Sequence, residues 1–335
     1  MLLSRFAESL YWAGRYLERA ETVARMVKVH TELLLDLPRA AGVGWLPLLA
    51  VTGQGEEFLD RHTAPEEEDV VEFLATDTKN RGSVLASLAQ ARANLRASQV
   101  VLPREAWEVV NNLHGWAAAD TSGAIDRRTR LGWMDHVVGQ CQLLAGALAG
   151  TMCDDEAYGF LLIGRHLERA DMTIRVLDVQ AGVLVGQSQG SVSGGPGALG
   201  GSDPPDTPYR DVTWMGVLRS LSAQQMFFRT EGGGVSGPAA LRFLLQDERF
   251  PRSVEFCLAA TARGVGQLPR AALPLASCAV AQSRLRALTI TDRVTPGELN
   301  QLVDELELGI GEMHEILART YFQLEGVPPA LVEPA

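Results

Sequence analysis

This sequence lacks most of the signatures by which a protein announces chemistry of its own. No Gly-x-x-x-x-Gly-Lys-Ser/Thr occurs, and no Gly-x-Gly-x-x-Gly follows a strand pattern, so the two common nucleotide-binding loops are absent. No Gly-x-Ser-x-Gly elbow or reactive-cysteine signature stands out. The six histidines are His30, His62, His114, His136, His166 and His314. The residues three before them are Val27, Leu59, Asn111, Trp133, Ile163 and Gly311, none of them Glu, which excludes the Glu-x-x-His pairs of carboxylate-bridged metal bundles. The four cysteines, Cys141, Cys153, Cys257 and Cys278, are scattered without metal-type spacing and read as buried free thiols. Cys153 lies near the start of a helix, where a thiol pKa can fall, but its plainer reading is a small hydrophobe. No metal and no cofactor is expected.

Aromatic residues are scarce, at 6%, while hydrophobic residues make up 46%. The core must therefore be mostly Leu, Ala and Val, which favours close-packed helices. Positive charge is in deficit: the formal net charge is −11. That balance argues against nucleic acid and anionic lipid as partners through the overall field, although local Arg clusters are not excluded. Long apolar runs are missing too. The most apolar stretch, Val137 to Met152, contains Gln140 and Gln142 and is too short to span a bilayer. The N-terminus enters an amphipathic helix directly, with no signal-peptide pattern. The expectation is a cytoplasmic protein that does not enter membranes.

What the sequence does contain is a repeat. Gly14-Arg15-Tyr16-Leu17-Glu18-Arg19-Ala20-Glu21 returns as Gly164-Arg165-His166-Leu167-Glu168-Arg169-Ala170-Asp171, a constant offset of 164 − 14 = 150 that still pairs Arg25 with Arg175 and Val29 with Val179. Beyond the leading Gly neither copy contains Gly, Pro or a β-branched run, so both read as helix. At about 100° per residue, Arg15, Glu18, Arg19, Thr22 and Arg25 share one side of the first helix. Phe6, Leu10, Ala13, Leu17, Ala20, Ala24 and Val27 share the other. In the second, Arg165, Glu168, Arg169 and Arg175 lie opposite Phe160, Ile163, Leu167, Ala170 and Ile174.

Read in order, the chain opens with a helix over about 4–35, stopped by Pro38. A short segment surrounds Trp45, and Glu66 to Asp69 open a helix whose acidic first turn suits the helix dipole. Helices are expected over 83–98, from Pro103 as an N1 proline, and over about 125–150. The second half opens with its own Glu-Arg helix over about 155–185. Residues 186–207, rich in Gly, Ser, Pro and Asp, read as a flexible linker. Beyond it Phe243 to Asp247 answers Phe73 to Asp77, and Arg252-Ser253-Val254 answers Gly82-Ser83-Val84, now at an offset of 247 − 77 = 170. The extra 20 residues fit the inserted linker. A final helix is expected over about 296–324. The organisation is thus a first helical half over 1–152, a second Glu-Arg helix over 153–185, the linker over 186–207, the rest of the second half over 208–326 and a tail over 327–335. The fold class is all-α: a helical bundle of two tandem related halves with pseudo-two-fold symmetry.

The doubled motif supports two readings. Arg15, Glu18, Arg19 and Arg25 with Arg165, Glu168, Arg169 and Arg175 can line a pocket, because a guanidinium fork suits carboxylate or phosphate. Alternatively, Glu18 and Glu168 pair with Arg of their own or the opposite helix and bind nothing, fixing how the helices meet. An exposed face of i,i+4 pairs is a third option. Arg92, Asn94, Arg96, Asn111 and Asn112 read as a solvated face.

The opening Leu3-Ser4-Arg5-Phe6-Ala7-Glu8-Ser9-Leu10-Tyr11-Trp12, running into the first motif, resembles the alpha-E domain family, a bacterial all-helical family named for its Glu-Arg motif. The resemblance resumes at Thr151-Met152, Asp155-Glu156-Ala157 and 164–173, and covers nearly the whole chain. Where such families carry Arg after Thr-Met, this chain has Cys153, so no role transfers there. The resemblance implies genes beside those of an ATP-grasp-like ligase and a transglutaminase-like protein. Two function classes follow from it and from the missing motifs. One is a non-catalytic helical partner or scaffold of that ligase system. The other is an enzyme or ligand-binding subunit using the Arg/Glu cavity for a carboxylate- or phosphate-bearing peptide or amino acid.

Overall fold

A computed structural model describes residues 2–36, 44–189, 210–290 and 296–323. Among them there are fifteen α-helices and no strand. They are α1 (Ser4–Asp36), α2 (Leu46–Val51), α3 (Gly55–Leu59), α4 (Glu67–Ala75), α5 (Val84–Ala97), α6 (Arg104–Ala119), α7 (Thr121–Ile125) and α8 (Arg130–Thr151), then α9 (Glu156–Gln189), α10 (Arg210–Ser220), α11 (Gln224–Glu231), α12 (Gly237–Gln246), α13 (Val254–Gly266), α14 (Ala272–Ala287) and α15 (Pro296–Leu317). A single π-helical turn, Ala318–Phe322, follows α15.

The two Glu-Arg helices, α1 and α9, pack along each other at the centre. Around α1 lie α5 and α8, bridged by α6; around α9 lie α13 and α15, bridged by α14. Leu10, Ala13, Leu17, Ala20, Ala24 and Val27 are buried, as the periodicity of α1 requires. The opposite face is buried as well, with Glu18, Glu21 and Thr22 almost inaccessible. The division along α1 therefore separates an apolar core from a polar core rather than core from solvent. Small residues make this possible. The helices meet backbone to backbone at Gly14 and Gly164, which draws the flanking Glu18 and Glu168 wholly into the interface.

Serine fixes the start of two surrounding helices. Ser83 accepts a hydrogen bond from the Ala86 amide at 3.1 Å, and Ser253 accepts one from the Phe256 amide at 3.1 Å. Other boundaries differ from the sequence expectation for local reasons. Pro103 is the N-cap and not the first helical residue, because its ψ of 141° is extended. The helix expected from Ile125 starts at Arg130. Asp120 instead caps a separate short helix, α7, whose C-cap Asp126 turns extended at ψ 125°. The fully buried Arg130 then ties the turn together through the carbonyls of Ala124 and Ile125 and the carboxylate of Glu67. Of the linker expected over 186–207, residues 186–189 belong to α9, which runs to Gln189; 190–207 lie outside the described residues, as do Pro38 and the 327–335 tail. The last α-helix stops at Leu317. Its π turn sets Tyr321 against Phe160 and Phe322 against Tyr11, with ring centroids 5.2 Å apart in both cases.

Candidate functional site: the Glu-Arg core

Glu18 lies at the middle of α1 and accepts four bonds from three arginines. Arg169 donates Nε to Oε1 at 2.9 Å and Nη2 to Oε2 at 2.6 Å, a bidentate fork. Arg165 donates Nε to Oε2 at 3.1 Å, and Arg252, just before α13, donates Nη1 to Oε1 at 2.6 Å. Glu168 on α9 is bound the other way round, by Arg15 Nε at 2.6 Å and Arg19 Nε at 2.5 Å. Each glutamate thus binds arginines of the opposite long helix.

A second acidic residue stands one turn on in each helix. Glu21 accepts from Arg252 Nη2 at 2.7 Å, from Arg25 four residues on, and from Gln142 Nε2 at 3.5 Å. Asp171 accepts from Arg175 Nε at 3.2 Å and from Arg15 Nη2 at 3.5 Å. All eight of the arginines and glutamates read from the doubled motif are therefore paired, in two clusters: Arg25, Arg165 and Arg169 with Glu18 and Glu21, and Arg15, Arg19 and Arg175 with Glu168 and Asp171. The sequence reading missed Glu21, Asp171 and Arg252. The first two were legible, as acids in matching register at 171 − 21 = 150. Arg252 has no equivalent signal, because Gly82 stands in its register.

The electrostatics follow from the geometry. Burial alone pushes the Glu18 carboxyl up, but Arg169 and Arg252 outweigh it and hold the carboxyl well below the usual carboxylate range. Burial opposes ionisation of Glu168 too, and Arg15 and Arg19 reverse it. Burial would lower the Arg15 pKa, yet Glu168 holds that guanidinium more firmly charged than usual. Beside the network, burial pushes the Tyr11 hydroxyl up to about 12; that hydroxyl is 2.8 Å from His314 Nδ1. Burial, reinforced by Arg169 and Arg165, lowers His166 to about 3. Carboxylates saturated by guanidinium groups are poor bases. The cavity beside Glu18 holds about 20 Å³, room for a single water.

Outside the core the expected solvated face is mixed. Arg92 donates to Asn111 at 2.9 Å and lies over Trp107, while Arg96 and Asn112 are exposed. Cys141, Cys257 and Cys278 are buried, but Cys153 is exposed, because it sits in the short turn between α8 and α9. A groove of about 850 Å³ runs between α9 and α15, past Asp171, Asp304, Glu307 and His314. No group of three or more His, Cys, Asp or Glu able to hold a metal ion is found among the described residues. Nor is any described helix long and apolar enough to cross a membrane.

The model of one protein family, described as a predicted alpha-helical domain with a conserved ER motif, matches residues 2–322. The chain belongs to the Alpha-E family. Glu18-Arg19 and Glu168-Arg169 are the Glu-Arg pairs on the two long helices of this Alpha-E protein; all four side chains take part in the ion pairing, with Arg19 partly exposed and the other three buried. No curated protein and no solved structure matches the chain.

Proposed function

We propose that this Alpha-E protein is a non-catalytic helical partner or scaffold of an ATP-grasp-like peptide ligase, with a transglutaminase-like protein as a further partner. The observation that carries the reading is that Glu18 and Glu168 are spent on arginines within the fold. Residues so used lock two long helices in one register; they are not free to move protons. Buried ion pairs stabilise weakly but specify arrangement. In this reading the two halves are related by a pseudo-two-fold axis between Glu18 and Glu168. The motif builds the platform, the partner supplies the reaction, and the protein works in the cytoplasm. Co-expression with the ligase followed by size-exclusion chromatography tests it. Co-elution at micromolar concentration is expected, and independent elution with and without ATP and peptide counts against it.

A second reading, a subunit that binds a carboxylate- or phosphate-bearing peptide or amino acid, is favoured by one observation. Several arginines of the network have nitrogen donors that no carboxylate takes up among the described residues.

A further inference from the structure

The Glu168 side of the core lacks the third arginine that the Glu18 side has. Arg252 bridges Glu18 and Glu21 with its two terminal nitrogens. The residue in its register, 252 − 170 = 82, is Gly82, and the next residues, Ser253 and Ser83, cap α13 and α5 alike. Beside Gly82 there is a cavity of about 200 Å³, lined by Arg19, Thr52, Arg81, Glu168, Asp171 and Arg175 among others.

The donors and acceptors around this cavity do not balance. Arg19 gives Nε to Glu168 and Arg175 gives Nε to Asp171; among the described residues neither guanidinium bonds through its terminal nitrogens. Arg81 is exposed and has no partner there at all. Both oxygens of Glu168 already accept a guanidinium, so the unspent capacity is almost entirely N–H. Charge points the same way. Three guanidinium groups face two carboxylates, a local positive excess in a chain of net charge −11. A guanidinium or ammonium ligand placed where Arg252 has no counterpart would meet that excess and be repelled.

We propose that this cavity binds an oxyanion group, carboxylate or phosphate, held by the free faces of Arg19, Arg81 and Arg175. The fork geometry of guanidinium suits both groups. Gly82 lines the cavity beside Gln54, and a side chain there would crowd the Gln54 amide. The proposal deepens the ligand-binding reading and rests on it, not on the scaffold reading. It places the ligand on the Glu168 side of the core, over Arg19 of the first Glu-Arg pair together with Arg81 and Arg175, which lie outside the pairs.

Isothermal titration calorimetry on the full chain at low ionic strength tests it, with inorganic phosphate in one arm and succinate in the other. Saturable one-site binding is expected in at least one arm, and the arm that binds identifies the group. R81A and R175Q should each weaken it about tenfold or more, the loss of a charge-assisted hydrogen bond. R81A removes no intramolecular bond, so its melting temperature should match the parent, which separates lost binding from lost folding. Binding that both variants leave unchanged overturns this site and moves the ligand-binding reading to another surface. No binding in either arm overturns the site and that reading together.

Discussion

Gly14 and Gly164 interlock. A Cβ placed on Gly14 would run into the Leu161 carbonyl and stand 2.9 Å from the Arg165 amide nitrogen; one placed on Gly164 would run into the Tyr11 carbonyl. Leu161 and Tyr11 are themselves 150 residues apart, so each glycine abuts the residue three before the other. This contact sets the distance between α1 and α9, and with it the reach of every Glu–Arg pair.

Gly14→Ala and Gly164→Ala should therefore each destabilise the fold, at or above the upper end of the about 1–3 kcal/mol of ordinary overpacking, because backbone cannot rotate away as a side chain can. Gly146→Ala is the control. Nothing lies within 4 Å of its would-be Cβ in α8, so it should gain about 0.5–1 kcal/mol from helix propensity. Urea unfolding midpoints read all three; equal losses at Gly146 and Gly14 would refute the contact argument.

Glu18→Ala and Glu168→Ala should both be costly, since breaking a buried pair strands a buried charge at about 3–5 kcal/mol. Glu18 holds three arginines and Glu168 two, so the Glu18 variant should be the worse. Denaturant unfolding gives the order. Unchanged stability in either variant would mean that its arginines find water instead.

The α1 and α9 spans and their charged residues were legible in the sequence, because a doubled motif at fixed offset carries both periodicity and composition. The burial of that charged face was not. Periodicity separates two faces of a helix but does not say that both are covered. The start of α8 was hidden because it depends on Arg130 reaching back to carbonyls of the preceding turn. Arg252 was hidden because its partners, Glu18 and Glu21, lie more than 230 residues earlier.

Acid should weaken the protein in two stages. His30 is lowered to about 4 and His166 to about 3, mainly by burial, against an ordinary 6.5. Below pH 6.5 the unfolded chain binds protons that the folded chain refuses. Stability is full above that pH and falls as pH drops, by up to about 1.4 kcal/mol per unit for each histidine. Glu18 and Glu168, also depressed, add their loss only below the ordinary carboxylate range. Melting temperatures from pH 7 to 4 should fall, and His166→Gln should flatten the slope. A flat parent profile down to pH 5 would show that the histidines are solvated.

Arg252 supplies the last test, because it joins α13 to the core through two carboxylates at once. Its Nη1 and Nη2 each serve a different acid, and its carbonyl accepts from Thr173 Oγ1 at 3.0 Å, fixing the backbone beneath it. A lysine keeps the charge but has one nitrogen on a flexible stem and cannot span both acids. Arg252→Lys should therefore lose about 1.5–3 kcal/mol, the worth of one hydrogen bond to a charged group. Arg252→Ala should lose more. If the bridge is real, Glu21→Gln combined with Arg252→Lys should cost less than the two losses added, since residues in one network are coupled. Strict additivity in that double-mutant cycle would show that Arg252 serves Glu18 alone.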